Sequence, residues 1–214
     1  MSTCCCHAQS AGRFFSFFAR RSRKRFKRKG FEPSQKQLMA GLEQLGYREA
    51  SVLDIGCGVG HLHQTLLEQG ASAAVGIDLA PKMLSEAKDW ADERGLGDRV
   101  NYVEGDFMTL AKRIDNADIC LLDKVVCCYP DAQGLVQKSL AKTKRVYGLT
   151  YPRDRWFIRL GAEAIACLLW LIRSDFRSYV HDPVQIERWI SGDGFEKRFE
   201  DQTAAWLTQV YVKP

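Results

Sequence analysis

The sequence predicts an α/β fold in which a doubly wound, mostly parallel sheet is covered by helices and closed by a hairpin. Two observations support this prediction. Short apolar strands alternate with helical segments from Pro33 onward, and residues 194–214 contain two strand-like runs in succession. Strand–helix alternation is typical of parallel sheets, whereas consecutive strands favour an antiparallel hairpin. With 214 residues, of which 46% are hydrophobic, the chain fits one globular domain with a substantial core.

Each element has its own signal. A helix begins at Pro33 and Ser34, and a later one opens with Pro81 at its first turn, where the missing N–H costs nothing. The strand before the first glycine-rich turn is short, apolar and ended by Gly56. The predicted strands are 50–56, 73–79, 99–106, 117–126 and 145–151, and the predicted helices are 34–46, 61–70, 81–95 and 131–143.

The charge is distributed unevenly along the chain. The formal net charge is +5, but residues 1–30 carry nine Lys/Arg and no Asp/Glu, whereas residues 31–214 are at −4. We therefore divide the chain into a basic N-terminal arm, residues 1–30, and a mildly acidic domain, residues 31–214.

The arm alternates phenylalanines with basic residues over residues 12–30, and Gly30 is a suitable stop for a basic, partly amphipathic helix. Four hypotheses are open: a solvated helix whose phenylalanines dock on the domain, contact with an anionic membrane surface, nucleic-acid binding, and organellar targeting. We favour the docked helix, retain peripheral membrane contact as an alternative and do not expect a nucleic-acid partner.

The eight cysteines predict a reduced, cytoplasmic protein, because several are adjacent to one another and others lie in apolar runs. Residues Cys4 to His7 are contiguous, cannot easily surround one tetrahedral ion and have no second cluster to complete a site. We expect no metal site. No apolar run reaches the ~18 residues of a membrane span.

The segment "VLDIGCGVG", residues 52–60, holds three alternate glycines at the end of a predicted strand. Parallel sheets bind ligands at such turns, where glycine allows close approach of the backbone. A dinucleotide site would need its third glycine at His61, so the spacing disfavours NAD. Asp54 ahead of the loop repels phosphate but suits a cationic ligand, and Asp78 at the end of the next strand can accept ribose hydroxyls. The pattern favours a ligand like S-adenosylmethionine.

Four segments in order, "VLDIGCGVG", "VGIDLAPKML", "VEGDF" and "ADICLLDKVV", resemble the motifs of class I S-adenosylmethionine-dependent methyltransferases over about residues 50–150. The resemblance implies a Rossmann-like seven-stranded sheet, mostly parallel with a C-terminal antiparallel hairpin, and S-adenosyl-L-methionine as cofactor. The "CCYPD" and "YPRDRW" segments are also similar, more loosely, to bacterial proteins grouped with magnesium-protoporphyrin O-methyltransferase.

The resemblance also implies roles for individual residues. The glycines and Asp54 would surround the methionine part, Asp78 would hold the ribose, and Asp123 would face the transferred methyl. Asp106 and Phe107 would flank the adenine. The complete expected cofactor set is Asp54, Gly56, Cys57, Gly58, Gly60, Asp78, Leu79, Asp106, Phe107 and Asp123.

Methyl transfer is an in-line displacement, so the protein mainly has to hold the nucleophile close to the methyl group. A hydroxyl or amine acceptor also needs a base, whereas a carboxylate does not. We predict Asp123, Tyr129 and His181 as catalytic residues. The histidines His61 and His63 are further candidates for a base, and Cys127 and Cys128 are expected to form apolar pocket wall.

Residues 156–172 are nearly all apolar and follow the fifth strand, where substrate lids form. We therefore expect a small, hydrophobic acceptor, with O-methylation favoured and a tetrapyrrole-like carboxylate as one candidate.

The alternative is an RNA or protein methyltransferase that binds its polymer substrate with the arm. The segment Asp123 to Val126 lacks an Asn-Pro-Pro-Tyr-type motif, which counts against base N-methylation. A non-enzymatic cofactor-binding module and an NAD oxidoreductase are disfavoured, and the sequence leaves the oligomeric state open.

Overall fold

A computed structural model of the protein describes Gly12, residues 15–171 and residues 177–214. Its centre is a seven-stranded sheet in the order β3-β2-β1-β4-β5-β7-β6. The strands are β1 (Ser51–Ile55), β2 (Ala73–Asp78), β3 (Val100–Glu104), β4 (Ala117–Asp123), β5 (Thr143–Pro152), β6 (Glu196–Gln202) and β7 (Trp206–Val212). Strands β1 to β5 are parallel, and β7 runs antiparallel to both β5 and β6. The predicted fold class is confirmed, including the closing hairpin.

Helices cover both faces of the sheet. They are α1 (Ala19–Lys29), α2 (Pro33–Leu45), α3 (His61–Glu68), α4 (Pro81–Glu93), α5 (Phe107–Leu110), α6 (Ala132–Leu140), α7 (Trp156–Leu171) and α8 (Pro183–Gly192). The predicted fourth strand, 117–126, was too long. It ends at Asp123 because Lys124 adopts a φ of +61° and Val126–Cys128 then form a short 3-10 turn.

The core lies in two layers, one on each face of the sheet. Leu53 and Leu122 pack into one layer, while their chain neighbours Val52 and Leu121 pack into the other. This is the period of two expected of strands buried on both faces. The continuous apolar runs of β1 and β4 follow from that double burial.

The carboxyl ends of β1, β2 and β4 meet at one edge of the sheet. Ile55 pairs with Ile77, and Asp54 pairs with Leu121, two residues before the end of β4. Loops that leave these strands therefore start side by side, and Asp78 and Asp123 lie on either side of the glycine-rich turn.

Helix α1 packs against α4 through apolar residues of the arm. Phe18 and Phe26 lie in a cluster with Met83 and Trp90, and Arg23 forms ion pairs with both Glu86 and Glu93. This arrangement agrees with the docked-helix hypothesis. The division of the chain at residue 30 stays a prediction.

Helix α7 follows β5 and leaves much of its apolar surface exposed. Trp156 is 76% exposed and Leu160 is 59% exposed. Within residues 15–171 and 177–214, no helix combines the length and the apolar character needed to cross a membrane.

Candidate active site

The glycine-rich loop turns sharply between β1 and α3. Gly56, Gly58 and Gly60 have φ values of +68°, +55° and +78°, a region that other residues adopt only with strain. The N–H groups of Gly56 and Cys57 both donate to the carbonyl of Ile77, at 2.7 and 3.0 Å. A Cβ atom at Gly56 would lie 2.5 Å from a methyl group of Val125. Glycine is thus needed there for conformation and for space.

A buried polar network supports the loop from below. His63 Nδ1 donates to Asp54 Oδ2 at 2.8 Å, and His63 Nε2 lies 3.1 Å from the Tyr102 hydroxyl. Gln64 Nε2 also donates to that hydroxyl, at 2.8 Å. The carboxylate of Asp54 therefore accepts a hydrogen bond from His63 inside the protein, where burying an isolated charge would cost free energy. His63 is fully buried and lines neither of the two cavities described next.

Two adjoining cavities open at the carboxyl edge of the strands. The larger holds about 200 Å³ and the smaller about 170 Å³, and they share Gly56, Gly58, Met83 and Asp123. A depression of about 590 Å³ beside Tyr47 and Arg145 lies at the opposite edge of the sheet, away from the loop. The predicted site residues lining the larger cavity are Gly56, Gly58, Asp78, Leu79, Asp106, Phe107, Asp123 and Tyr129, and Asp54 and Cys57 line the smaller one.

Asp78 joins the glycine-rich loop to the start of α4. Its Oδ2 accepts from the N–H of Gly58 and its Oδ1 from the N–H of Ala80, both at 2.8 Å. Burial raises the pKa of Asp78 to about 6, against the opposing effect of these N–H donors. A carboxylate fixed in this position can accept hydrogen bonds from the vicinal hydroxyls of a ribose.

Asp106 organises the far wall of the larger cavity. Its Oδ1 accepts from the N–H of Met108, which caps α5, and from the Tyr129 hydroxyl at 2.8 Å. Burial, followed by the charge of Asp106, raises the pKa of Tyr129. The Tyr129 hydroxyl therefore acts as a donor to Asp106, while Phe107 is buried against the core.

Asp123 is held by Gln35, a residue of α2 that the sequence interpretation missed. Gln35 Nε2 lies 2.7 Å from Asp123 Oδ2 and 2.7 Å from His61 Nε2. Burial raises the pKa of Asp123 and lowers the pKa of His61 to about 4. The available signal was the spacing Glu32-x-x-Gln35, which forms the capping box of α2.

The arm supplies part of the cavity wall. Phe15 lines the larger cavity and Ser22 the smaller one. A Cβ atom at Gly12 would lie 2.5 Å from the carbonyl oxygen of Leu79, so the chain passes close over the end of β2. Glu32 pairs with Arg25 of the arm and with Lys124 beside Asp123. The phenylalanine-rich pattern indicated docking but not its position.

Two predicted site residues line neither cavity. Gly60 begins α3. His181 Nε2 donates to the carbonyl of Tyr129 at 3.0 Å, and burial lowers the pKa of His181. The catalytic assignments of Asp123, Tyr129 and His181 stay predictions.

In the described part of the chain, no group of three or more His, Cys, Asp or Glu side chains could hold a metal ion. The Cys4–His7 cluster lies outside the described residues.

The carboxylates and apolar walls of the two cavities fit a ligand in which a nucleoside is joined to a positively charged, polar end. Asp78 offers carboxylate oxygens toward ribose hydroxyls, and the larger cavity has mostly apolar walls. Asp123 Oδ1 is buried and has no hydrogen-bond partner among the described residues. A buried acceptor of this kind calls for a donor from a ligand. These features match S-adenosylmethionine better than a dinucleotide, whose pyrophosphate would meet Asp54 and Asp123.

Comparisons with known proteins agree with this geometry. A family described as "Methyltransferase domain" matches residues 52–147. The ubiquinone biosynthesis O-methyltransferase of Coxiella burnetii (strain Dugway 5J108-111) is 27% identical over 158 residues, which are 71% of this chain and 66% of the relative. The match thus spans just under two thirds of that relative's length.

Two further proteins are informative. The ribosomal protein L11 methyltransferase of Haemophilus influenzae (strain PittEE) is 34% identical over 77 residues, covering 36% of this chain and 26% of the relative. The crystal structure of magnesium protoporphyrin IX methyltransferase from Synechocystis PCC 6803 with bound SAH superposes with a TM-score of 0.66 at 20% identity, covering 94% of this chain and 98% of that one.

The strand order, the glycine-rich loop with its acidic neighbours and the matched domain converge on one assignment. Residues 52–147 match a methyltransferase domain, and the sheet around them has the fold of class I S-adenosylmethionine-dependent methyltransferases.

Proposed function

We propose that the protein transfers the methyl group of S-adenosylmethionine to an oxygen of a small, hydrophobic acceptor, and that this oxygen belongs to a carboxylate. The observation that carries the proposal is the exposed apolar surface of α7 beside the carboxyl edge of the sheet. The tetrapyrrole-like carboxylates considered above are one class of such acceptors.

Helix α7 is placed to contact an acceptor. Asp123 pairs with Thr150, and the chain continues from β5 through a short turn into α7. Trp156, Phe157, Leu160 and Ile165 are large apolar side chains that remain exposed on this helix. Exposed apolar side chains grouped on one element often mark a binding surface. A hydrophobic acceptor bound there would reach the cofactor edge of the sheet.

The polar groups near the cavities support a carboxylate as acceptor. The Tyr129 hydroxyl donates to Asp106, and the Nε2–H of His181 is bound to a carbonyl. Neither of these two atoms is set to take a proton, and we assign the remaining acceptor, Asp123 Oδ1, to the ammonium of the cofactor. A carboxylate is already ionised at neutral pH and needs no base, whereas a phenol or an alcohol does.

The cofactor would occupy both cavities. Asp78 would hold the ribose, and the wall formed by Asp106 and Phe107 would flank the adenine in the larger cavity. The loop from Asp54 to Gly58, with Cys57, would enclose the methionine end. The cofactor supplies a methyl group on a cationic sulfur; the residues of this chain bind it, orient it and exclude water. The O-methyltransferase name of the Coxiella relative supports oxygen as the acceptor atom.

The arm geometry does not favour a polymer substrate. Arg20, Arg23, Arg25 and Lys27 pair with acids of the domain, and Phe15 lines the larger cavity. Phe15 would therefore contribute to the cofactor site, and the four basic side chains already have acidic partners in the domain.

The test is a transfer assay with S-adenosylmethionine carrying an isotopically labelled methyl group. Hydrophobic carboxylates, phenols, amines, total RNA and a protein mixture would be compared as acceptors. Labelled methyl esters that yield free label on alkaline hydrolysis are the expected result. Label found only in RNA or protein would overturn the proposal in favour of the polymer alternative, and label in phenols alone would overturn the carboxylate assignment.

A further inference from the structure

We propose that Gln35, His61 and Asp123 form a recognition site for the amino-acid end of S-adenosylmethionine, in which Asp123 binds the ammonium and His61 binds the carboxylate. This inference rests on the proposed function, because it assigns residues to one end of its cofactor. The capping-box spacing Glu32-x-x-Gln35 marks Gln35 as a helix-start residue but gives it no role toward the cofactor.

The orientation of the Gln35 amide is fixed by its surroundings. The backbone N–H of Glu32 donates to Gln35 Oε1 at 3.1 Å, and an N–H group can only donate. The amide nitrogen must therefore face the other way, toward Asp123 Oδ2 and His61 Nε2. Both N–H hydrogens of this nitrogen are used in these two contacts.

This orientation determines the protonation of His61. Because Gln35 donates to His61 Nε2, that atom is an acceptor and the hydrogen of the neutral ring is on Nδ1. The pKa of His61, lowered to about 4 mainly by burial, agrees with a neutral ring at pH 7. His61 thus presents one N–H donor, and Asp123 presents one carboxylate oxygen, Oδ1.

These two remaining atoms are without partners. His61 Nδ1 and Asp123 Oδ1 are both buried and make no hydrogen bond within the described part of the chain. Burying a polar atom without a partner costs free energy, so such atoms indicate a missing ligand group. Both residues line the smaller cavity, next to Gly56 and Gly58.

An α-amino acid complements this pair. Its ammonium and carboxylate are attached to the same carbon atom, and the donor and acceptor here are held side by side by a single amide nitrogen. The ammonium suits Asp123 Oδ1 and the carboxylate suits the N–H of His61. The smaller cavity adjoins the larger one, so an amino-acid end there would continue into a nucleoside beside Asp78.

The experiment measures dissociation constants by calorimetry for three ligands. S-adenosylhomocysteine has both groups, decarboxylated S-adenosylmethionine has only the ammonium, and 5′-methylthioadenosine has neither. Loss of a hydrogen bond to a charged group weakens binding by about 10- to 100-fold. Gln35→Leu removes the amide that positions both ligand-binding groups, so we expect it to weaken S-adenosylhomocysteine by up to that factor and to leave 5′-methylthioadenosine within about twofold. Gln44→Leu, an exposed glutamine of the same helix, is the matched control and should change neither.

Two more variants test the ammonium contact and the carboxylate contact separately. Asp123→Asn should weaken S-adenosylhomocysteine and decarboxylated S-adenosylmethionine alike. His61→Phe keeps a ring against Phe26 and should weaken S-adenosylhomocysteine only. Binding of 5′-methylthioadenosine shows that each variant is folded, so the other variants remain informative if one does not fold.

The outcomes are distinguishable. Equal losses for S-adenosylhomocysteine and 5′-methylthioadenosine in folded variants would overturn this assignment and leave the proposed function standing. Failure of the unaltered protein to bind S-adenosylhomocysteine would overturn the proposed function itself.

Discussion

His63 Nδ1 lies 2.8 Å from Asp54 Oδ2 directly beneath the glycine-rich loop, and both side chains are almost completely buried. The pair fixes the end of β1 to the first turn of α3, so the loop between them is held at both ends. A charged group at this depth is stable only with its partner in place.

Replacing His63 with leucine should therefore be more damaging than neutralising Asp54. His63→Leu leaves the Asp54 carboxylate buried without its donor, which costs about 3 kcal/mol of unfolding free energy. Asp54→Asn keeps an acceptor for the histidine and should cost about 1 kcal/mol. Urea unfolding monitored by circular dichroism measures both, and equal or reversed losses would contradict the role of the pair.

Cofactor binding should depend on pH through Asp78. Its pKa is raised from 3.8 to about 6, so the carboxylate that would accept the ribose hydroxyls forms only as pH rises through about 6. We expect the affinity for S-adenosylhomocysteine to increase several-fold between pH 5 and pH 7.5 (roughly the range over which such a group titrates). In Asp78→Asn the affinity should be low and independent of pH; a curve that keeps its shape in this variant would exclude Asp78 as the source.

The raised pKa of Asp78 makes the stability of the fold depend on pH in the opposite direction. Because the folded-state pKa of Asp78 lies above its unfolded value, its contribution to stability is present below about pH 3.8 and is lost as pH rises through about 6. His61 acts in the reverse direction, since its lowered pKa makes the fold lose stability as pH falls from 6.5 to about 4. Comparing Asp78→Asn with the unaltered protein isolates the first effect from the second.

The docking of the arm should depend on Phe26 and not on Phe17. Phe26 contacts Trp90, Phe31 and His61 with ring centroids 5.3, 4.9 and 5.0 Å apart. Phe26 is half-buried, so Phe26→Ala should release the arm, cost up to about 3 kcal/mol of burial free energy and weaken binding of S-adenosylhomocysteine. Phe17 is 84% exposed, so Phe17→Ala is the matched control. Limited proteolysis of the arm and calorimetry report the two effects; equal sensitivity of both variants would refute the packing described.

Gly56 should tolerate no side chain. Alanine there must adopt a φ of +68° and would place its Cβ 2.5 Å from Val125, at a cost of about 1–3 kcal/mol. Gly161 in α7 has an ordinary φ, and a Cβ atom added there would have no neighbouring atom within 4 Å, so Gly161→Ala should be neutral or slightly stabilising. Thermal unfolding compares the two variants, and a neutral Gly56→Ala would show that the loop can relax.

The exposed side chains of α7 should matter for the acceptor alone. Leu160→Gln should raise KM for hydrophobic acceptors about fivefold to thirtyfold, since burial of a side chain of this size contributes roughly 1–2 kcal/mol. Binding of S-adenosylhomocysteine should not change. Val184 in α8 is also apolar and 63% exposed, and Val184→Gln controls for a general surface effect. Unchanged kinetics in Leu160→Gln would remove α7 from the acceptor site.

The sequence predicted the parts of the fold that follow from local pattern. Strand β1 is a continuous apolar run ended by Gly56, and α4 opens with Pro81, so both were recognisable without tertiary information. The end of β4 was misjudged because Val125 and Val126 have strand propensity. Their turn is imposed by the positive φ of Lys124, whose side chain pairs with Glu32 of a distant segment.

The site could be predicted only where its residues lie in motifs. Asp78 and Asp106 follow strand ends, and the topology brings such positions together. Gln35 lies 88 residues from Asp123 in sequence and reaches it only through the packing of α2 at the edge of the sheet. Its contact with His61 depends on the same packing. Neither composition nor periodicity carries that information.

The position of β7 has a consequence for how the chain is made. Residues 206–212 lie between β5 and β6 in the sheet, and α2, at residues 33–45, packs on β7 and receives a hydrogen bond from Thr208 at the carbonyl of Ser34. A ribosome must therefore complete residues 46–205, which are 160 residues, before β7 can begin to pack on α2. During synthesis the part of α2 that packs on β7 and the open edge of β5 remain uncovered, and in this interval a nascent chain of this topology is most exposed to aggregation.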